Sequence, residues 1–425
     1  MNAMIKKAAL AAAIASAPFA ASATDLVGGG ASLPALAYVG ADFTLTSPQA
    51  RLSTNAGLTA GAGYLESFVG IGSIFDEYEL STGNTASYCQ TGSGTGRRVL
   101  LGAPGWPASG DCRDYTTGVT PAGFSGLNAL PDFAGSDAPL NASDIATFQN
   151  GNQATRDNLV QVPALGALIG LPVNVEDNFG NPITNVNLTT EQVCDIFSGD
   201  AQVWTDVGVS SSDPITMVVR TDESGTVFAT TQYFAANCNV NYGDAFVTSE
   251  DFTDSYGPSD YNSSVTASGN GGVVAAVAAN SGSIGFANFA NVDEAGLAYA
   301  LIEGHDPATA SSVGYATGDL LPDTVLGAVD PSTGLPTTQS LASIDPALAE
   351  GCLTVINPAA QLEGDYPIAA VTNLLTYTDN NVDPAATRDL FKEVISGSSA
   401  LPVGFARLAS GIQTASENII DTCIN

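Results

Sequence analysis

A single histidine, two tryptophans and eleven basic residues in a chain of 425 are the scarcities that exclude most. Lys6 and Lys7 stand at the very start, which leaves Lys392 as the remaining lysine. Against 43 acidic residues the formal net charge is −32. A surface of that sign argues against nucleic acid or anionic lipid as partners, since both require clustered cations. One histidine, His305 in "EGHDPAT", would have to serve any Ser-His-Asp hydrolase, yet no Gly-x-Ser-x-Gly elbow is present. His305 is expected in an exposed loop. No Cys-x-x-Cys spacing occurs, which removes the usual zinc frame. The EF-hand and Walker frames are absent too, so Asp379, Asn380 and Asp383 in "TDNNVDPAATRD" read as a helix-entry loop, not a calcium site. Beyond the leader, no stretch reaches the ~18 uninterrupted apolar residues of a membrane span. No metal or other cofactor is expected.

What is present begins with "MNAMIKKAALAAAIASAPFAASA". Two lysines, an apolar run and small residues at its end are the pattern of a secretory signal peptide, residues 1–23, cleaved after Ala23. The mature chain is then expected to be exported, periplasmic or secreted, with a formal charge of about −34 once two lysines are lost. Six cysteines follow: Cys89, Cys112, Cys194, Cys238, Cys352 and Cys423. An even count in an exported chain favours disulfides, and fifteen pairings are open. Pairing of sequence neighbours is preferred, because each pair then stays inside one segment of the chain.

The length calls for more than one core. Residues 24–164 are rich in Gly, Ser and Thr with short apolar runs. From about 165 to 289 strands and helices alternate: "GALIGLPVNV" as strand, "LTTEQVCDIFSG" as helix with Thr189 and Gln192 at capping-box spacing, "PITMVVR" as strand, "SGTVFATTQYFAANC" and "GNGGVVAAVAAN" as helices, and "SGSIGFANF" as strand. After 290, "YPIAAVTNLLTYT" reads as a strand-helix piece and "DPAATRDLFKEVISG" as a late helix. The alternation predicts an α/β fold.

The candidate chemistry lies in glycine-rich turns. In "VVRTDESGTVF" a strand ends at Arg220, and Ser224-Gly225-Thr226 open a helix. The first N–H groups of a helix lack internal partners and favour an anion, while an arginine fork suits oxyanions. The plain alternative is an N-cap with a surface arginine. "GGGASLPALAYVGADF" repeats the design around Ser32, and "CQTGSGTGRRV" is a third such loop, around Ser93. In "DFAGSDAPLNASD", Asp137 either caps the following segment or faces a ligand. A carboxylate facing an anion repels it unless the anion carries a proton, so Asp137 would select hydrogen phosphate over sulfate.

Seven blocks in order, "GGGASLPALAY", "FAGSDAPL", "VQVPALGALIGLPVN", "LTTEQVCDIFSGDAQVW", "VVRTDESGT", "SGNGGVVAAVAANSGSIGFANF" and "YPIAAVTNLLTYT", resemble the periplasmic phosphate-binding proteins of ABC-type uptake, especially the DING branch. The resemblance implies a two-lobed type II periplasmic-binding fold with phosphate in the interlobe cleft. Lobe I would comprise 24–164 and 290–425, and lobe II 165–289. By matching position, Ser32, Leu33, Ser93, Asp137, Arg220, Ser224, Gly225 and Thr226 would hold phosphate, with Arg220 and Asp137 also pairing. Serine stands at 32 where threonine is usual. Acidic Asp222 and Glu223 flank the anion site, and Glu223 weakens binding wherever it faces the cleft. The stretch 44–86 is longer and more irregular than the family pattern, so Ser73 in "GIGSIFDEYE" is an alternative source of the Ser93 hydroxyl.

Three functional readings follow. The first is a monomeric, non-enzymatic receptor for inorganic phosphate that serves phosphate acquisition, with an ABC-type permease as its partner. The second is a secreted phosphatase using the same oxyanion cage. The third is a surface or adhesive protein that kept the fold without the affinity.

Overall fold

The computed structural model describes residues 24–40, 50–52, 65–106, 124, 130–242, 246–310, 313–360 and 366–425. The leader, Cys112 and most of 44–64 lie outside these. The first strand, Asp25–Gly30, runs between the parallel strands Thr85–Gln90 and Phe133–Ser136. Its register sets Gly30 opposite both Gln90 and Gly135. The turns that follow the three strands therefore leave the sheet at one edge. Peptide N–H groups lace these turns together: Ala31 donates to the Gly135 carbonyl at 2.9 Å, and Thr91 and Gly92 donate to that of Gly30 at 3.0 and 2.8 Å. A side chain at Gly30 would place its Cβ 2.2 Å from the Gly135 carbonyl oxygen, and its φ of 128° is one that glycine adopts readily. Behind this edge Tyr38, Phe75, Tyr88 and Phe133 form a buried aromatic cluster, with Tyr38 and Tyr88 edge to face at 5.3 Å.

The strand Leu159–Asn174 is buried along its length save for its last residue. Its apolar run, with little alternation, is what coverage on both faces demands. The first part, to Leu168, pairs antiparallel with Ala369–Tyr377. The second part pairs antiparallel with short strands at 283–284, 287–288 and 299–300. One strand thus carries the sheet from the first group of strands into a second. There Thr216–Arg220 lies parallel between Ser264–Ala267 and Ser283–Ile284. The result is a mixed α/β fold with a curled sheet.

The helices expected from alternation form at Thr190–Ser198, Gly225–Tyr242, Gly269–Ala279 and Pro384–Ser396. The capping box is present: Gln192 N donates to Thr189 Oγ1 at 3.2 Å, and Thr189 N to Gln192 Oε1 at 2.8 Å. Asp383 caps Pro384–Ser396 by accepting from Ala385 and Ala386 N, the helix-entry role read from sequence. His305 is exposed in a turn.

Three expectations are corrected. "YPIAAVTNLLTYT" contains no helix: Ala369–Tyr377 is one strand, because nine successive residues find partners along 159–168. "SGSIGFANF" is broken into two-residue strands on either side of Gly285-Phe286, and a short helix begins at Phe289. "TGSGTGRRV" is a loop only as far as Gly92, since Ser93 already opens the helix Ser93–Leu101. Within 44–86, the described part includes the regular helix Ile74–Thr82.

Disulfides join Cys194 to Cys238 and Cys352 to Cys423, as neighbour pairing expects. Cys89 is disulfide-bonded too. The Cys352–Cys423 bridge closes a separation of 71 residues and ties the final helix, Ser410–Cys423, to the sheet. Replacing both of its cysteines by serine should lower the unfolding free energy by about 2–5 kcal/mol in a urea titration, with the fold retained at 25 °C.

Candidate functional site

The edge carrying the three laced turns meets the start of the helix Gly225–Tyr242. Ser93 Oγ accepts from Asp137 N at 3.1 Å and donates to Asp137 Oδ2 at 3.4 Å. A Cβ on Gly225 would fall 2.2 Å from Asp137 Cβ and 2.7 Å from Ser93 Oγ. Ser93, Asp137 and Gly225 are thus in contact, and any larger residue at 225 would prise the two groups of strands apart. Ser224 and Thr226 flank the contact and are buried. Ser224 Oγ accepts from Thr226 N at 3.1 Å, while Thr226 Oγ1 makes no hydrogen bond within the protein. Ser93–Leu101 has no side-chain cap, whereas Gly269 N, at the start of Gly269–Ala279, donates to Asp222 Oδ1. The positive dipole ends of Ser93–Leu101 and of Gly225–Tyr242 therefore meet beside Asp137.

Arg220 ends its strand with no exposed surface. Its guanidinium is gripped by Asp222, with Nε to Oδ1 and Nη2 to Oδ2 both at 2.8 Å, and Nη1 donates to Asn270 Oδ1 at 3.1 Å. Asp222 Oδ1 also accepts from Gly269 N at 3.0 Å. Asn270 Oδ1 accepts a second bond, from Asn288 N at 3.0 Å, and Asn288 Nδ2 donates to the Leu33 carbonyl at 2.7 Å. A continuous chain thus links the arginine to the Ser32-Leu33 turn in the other group of strands. Ser32 and Leu33 are buried at that turn.

Asp137 is 4% exposed, and Oδ1 has no hydrogen-bond partner. Burial pushes its carboxyl up to about 7. The Thr372 hydroxyl, nearby but outside a regular hydrogen bond, works the other way, as do Ser93 and Arg220, while Glu250 adds to the rise. Arg97, also buried, brackets the same turn: Nη1 donates to Ser136 Oγ at 3.0 Å and to the Ala138 carbonyl at 3.2 Å. Burial alone would lower its pKa, but Glu250 and Asp144 outweigh that and hold the guanidinium charged.

The fold therefore brings Ser93, Asp137, Arg220, Ser224, Gly225 and Thr226 to one place, with Ser32 and Leu33 at the adjoining turn. Ser73 is elsewhere: its Oγ accepts from Asp76 N at 3.4 Å and caps the helix Ile74–Thr82, so it is no substitute for Ser93. Asp137 does not cap the next helix, a role taken by Asn141. Arg220's two-pronged partner is Asp222 and not Asp137. Glu223 turns outward to Arg98, at 2.5 and 2.9 Å. The sequence reading missed Asn270, Asn288, Arg97 and Glu250. Asparagine between glycines at a helix start in "SGNGG" was the available signal for Asn270; nothing local marks Glu250.

Residues 46–396 match the family described as a PBP superfamily domain. Alkaline phosphatase L of Pseudomonas aeruginosa strain PAO1 is 28% identical over 256 residues, 59% of this chain and 62% of that protein, so the match spans less than two thirds of that relative. Phosphate-binding protein PstS 3 of Mycobacterium leprae is 29% identical over 186 residues, 41% of this chain and 45% of that one. Among solved structures, the high-affinity periplasmic phosphate-binding protein PfluDING, bound with phosphate, is similar in fold with a TM-score of 0.58 at 22% identity, covering 93% of both chains.

A carboxyl raised on folding has a testable signature. Between its unfolded value near 4 and about 7, the folded state binds the Asp137 proton and the unfolded state does not. That contribution to stability is full below the unfolded pKa and is lost as pH rises through about 7. The stability gap between anion-free wild type and Asp137→Asn should shift in favour of the variant by a few kcal/mol from pH 4 to pH 8, read by urea unfolding at each pH.

Proposed function

The chain belongs to the PBP superfamily, and on that footing we propose that it captures hydrogen phosphate in a cleft between two lobes, as an exported receptor for phosphate acquisition. The lobes of this reading are 24–164 with 290–425, and 165–289. The short strand Tyr299–Ile302 joins the second lobe's sheet, and Leu159–Asn174 crosses between the lobes. Residues 1–23 act as the export signal, an ABC-type permease receives the ligand, and the receptor works as a monomer. The phosphate-binding names of the PstS and PfluDING relatives support this reading.

The observation that carries the proposal is Asp137, a buried carboxylate with an unpartnered oxygen, set against a serine hydroxyl and two helix starts. In this reading the N–H groups of Ser32, Leu33, Ser93 and Gly225 hold the phosphate oxygens, together with the hydroxyls of Ser32, Ser93, Ser224 and Thr226. Arg220 supplies the counter-charge. Asp222 has already balanced much of that charge, so the ion is held mainly by local dipoles. A strongly acidic chain can then bind an anion. At pH 8 the Asp137 carboxylate accepts the proton that hydrogen phosphate carries and sulfate lacks.

The P. aeruginosa relative's name motivates a second reading, phosphomonoester hydrolysis, in which Ser93 is the nucleophile and Asp137 its base. Receptor and hydrolase differ in turnover. The protein should release p-nitrophenol from p-nitrophenyl phosphate no faster than buffer; faster release that disappears in Ser93→Ala would favour the hydrolase.

Isothermal titration of phosphate-stripped protein at pH 8 tests the receptor. Phosphate should bind, sulfate should give no heat, Arg220→Ala should weaken phosphate by at least about a hundredfold, and Asp137→Asn should gain sulfate. No heat with either anion, in protein shown to be folded, would end this reading.

A further inference from the structure

Two ion pairs outside the anion-binding residues span the same cleft. Arg97 and Arg98 are neighbours on the helix Ser93–Leu101, which belongs to the first group of strands. Their partners, Glu250 and Glu223, belong to the second. Arg97 grips both carboxylate oxygens of Glu250, with Nη1 to Oε1 at 3.1 Å and Nη2 on Oε2. Its side chain is 6% exposed and that of Glu250 20%. Arg98, lying over the Trp106 ring at 5.3 Å, grips Glu223 in the same two-pronged way, but in the open: the side chains are 37% and 51% exposed.

Both pairs are built into the turns that make the site. Arg97 bonds the residues on either side of Asp137, and the Glu250 carbonyl accepts from Ser224 N at 2.9 Å. Glu223 immediately precedes Ser224. Separating the two groups of strands would break both pairs and leave the buried Arg97 with Asp144 as its remaining acidic partner. Breaking a buried pair costs much more than breaking an exposed one, and loss of one partner shows chiefly in the dissociation rate.

We propose that Arg97–Glu250 and Arg98–Glu223 form a two-part latch that sets how long the cleft retains its anion. The buried pair provides most of the hold. The exposed pair makes part of the retention dependent on ionic strength. The inference rests on the cleft-closing receptor described above and adds the residues that govern release.

The test follows escape of radiolabelled phosphate from the full-length protein after a chase with unlabelled phosphate. Glu250→Gln should release at least roughly tenfold faster, with association little changed. Glu223→Gln should release no more than about threefold faster at low salt, and this difference should vanish near 1 M salt, where screening reaches ~3 Å. The reversed pair, Arg98→Glu with Glu223→Arg, should restore the low-salt rate even if Glu250→Gln fails to fold. Wild-type release from Glu250→Gln and Glu223→Gln alike, or no rescue by the reversed pair, would overturn the latch. Should the wild type bind no phosphate, small-angle scattering of the ligand-free proteins separates the two ideas. A larger radius of gyration for Glu250→Gln than for wild type keeps the latch while the phosphate reading falls, and equal radii overturn the latch as well.

Discussion

A guanidinium with no exposed surface has to be neutralised where it lies, and much of this site is the consequence of burying Arg220. Asp222, two residues on, supplies the opposing charge in a planar, two-pronged fit. Asn270 takes a third N–H, and with it the start of the helix Gly269–Ala279 is drawn to the end of the arginine strand. Asn288 extends the same network to Leu33 in the other half of the sheet. One buried cation thus fixes the mutual positions of two helix starts and a distant turn.

The acidity of the chain then becomes intelligible. Bulk charge of −32 would repel an anion at long range, yet within the site Arg220 is balanced by Asp222 and oriented dipoles remain. Arginines are spent where they cross the cleft: Arg97 and Arg98 each meet a glutamate from the opposite side. Glu223, whose position beside the anion turn seemed a liability, is directed away from it by Arg98. The same residue therefore serves closure with its charge paired to Arg98.

Much of the architecture was legible because it is periodic. The capping box at Thr189 and the helix after Ser224 follow from local pattern and were placed correctly, whereas the strand expected at 166–175 begins earlier, at Leu159. Ser93, Asp137 and Arg220 were legible through their glycine-rich surroundings and their likeness to a family, although Ser93 sits on a helix and not in a loop. "YPIAAVTNLLTYT" misled because its helical signal is overridden by nine residues of pairing with a strand some two hundred positions earlier. Glu250 was invisible for a related reason: its role exists only once its backbone is tied to Ser224 and its side chain meets a helix far away in the chain.

By itself the sequence determined the residue types that chemistry needs, the turns that present them and the helices that begin behind them, because capping, glycine geometry and apolar periodicity act over a few residues. Tertiary structure alone decided which charges face one another. It gave Arg220 to Asp222 instead of Asp137, left an Asp137 oxygen unpartnered in a buried site, and set Glu250 against Arg97. Charge pairing and desolvation depend on distances between segments, and those distances exist only after the sheet has brought its two groups of strands together.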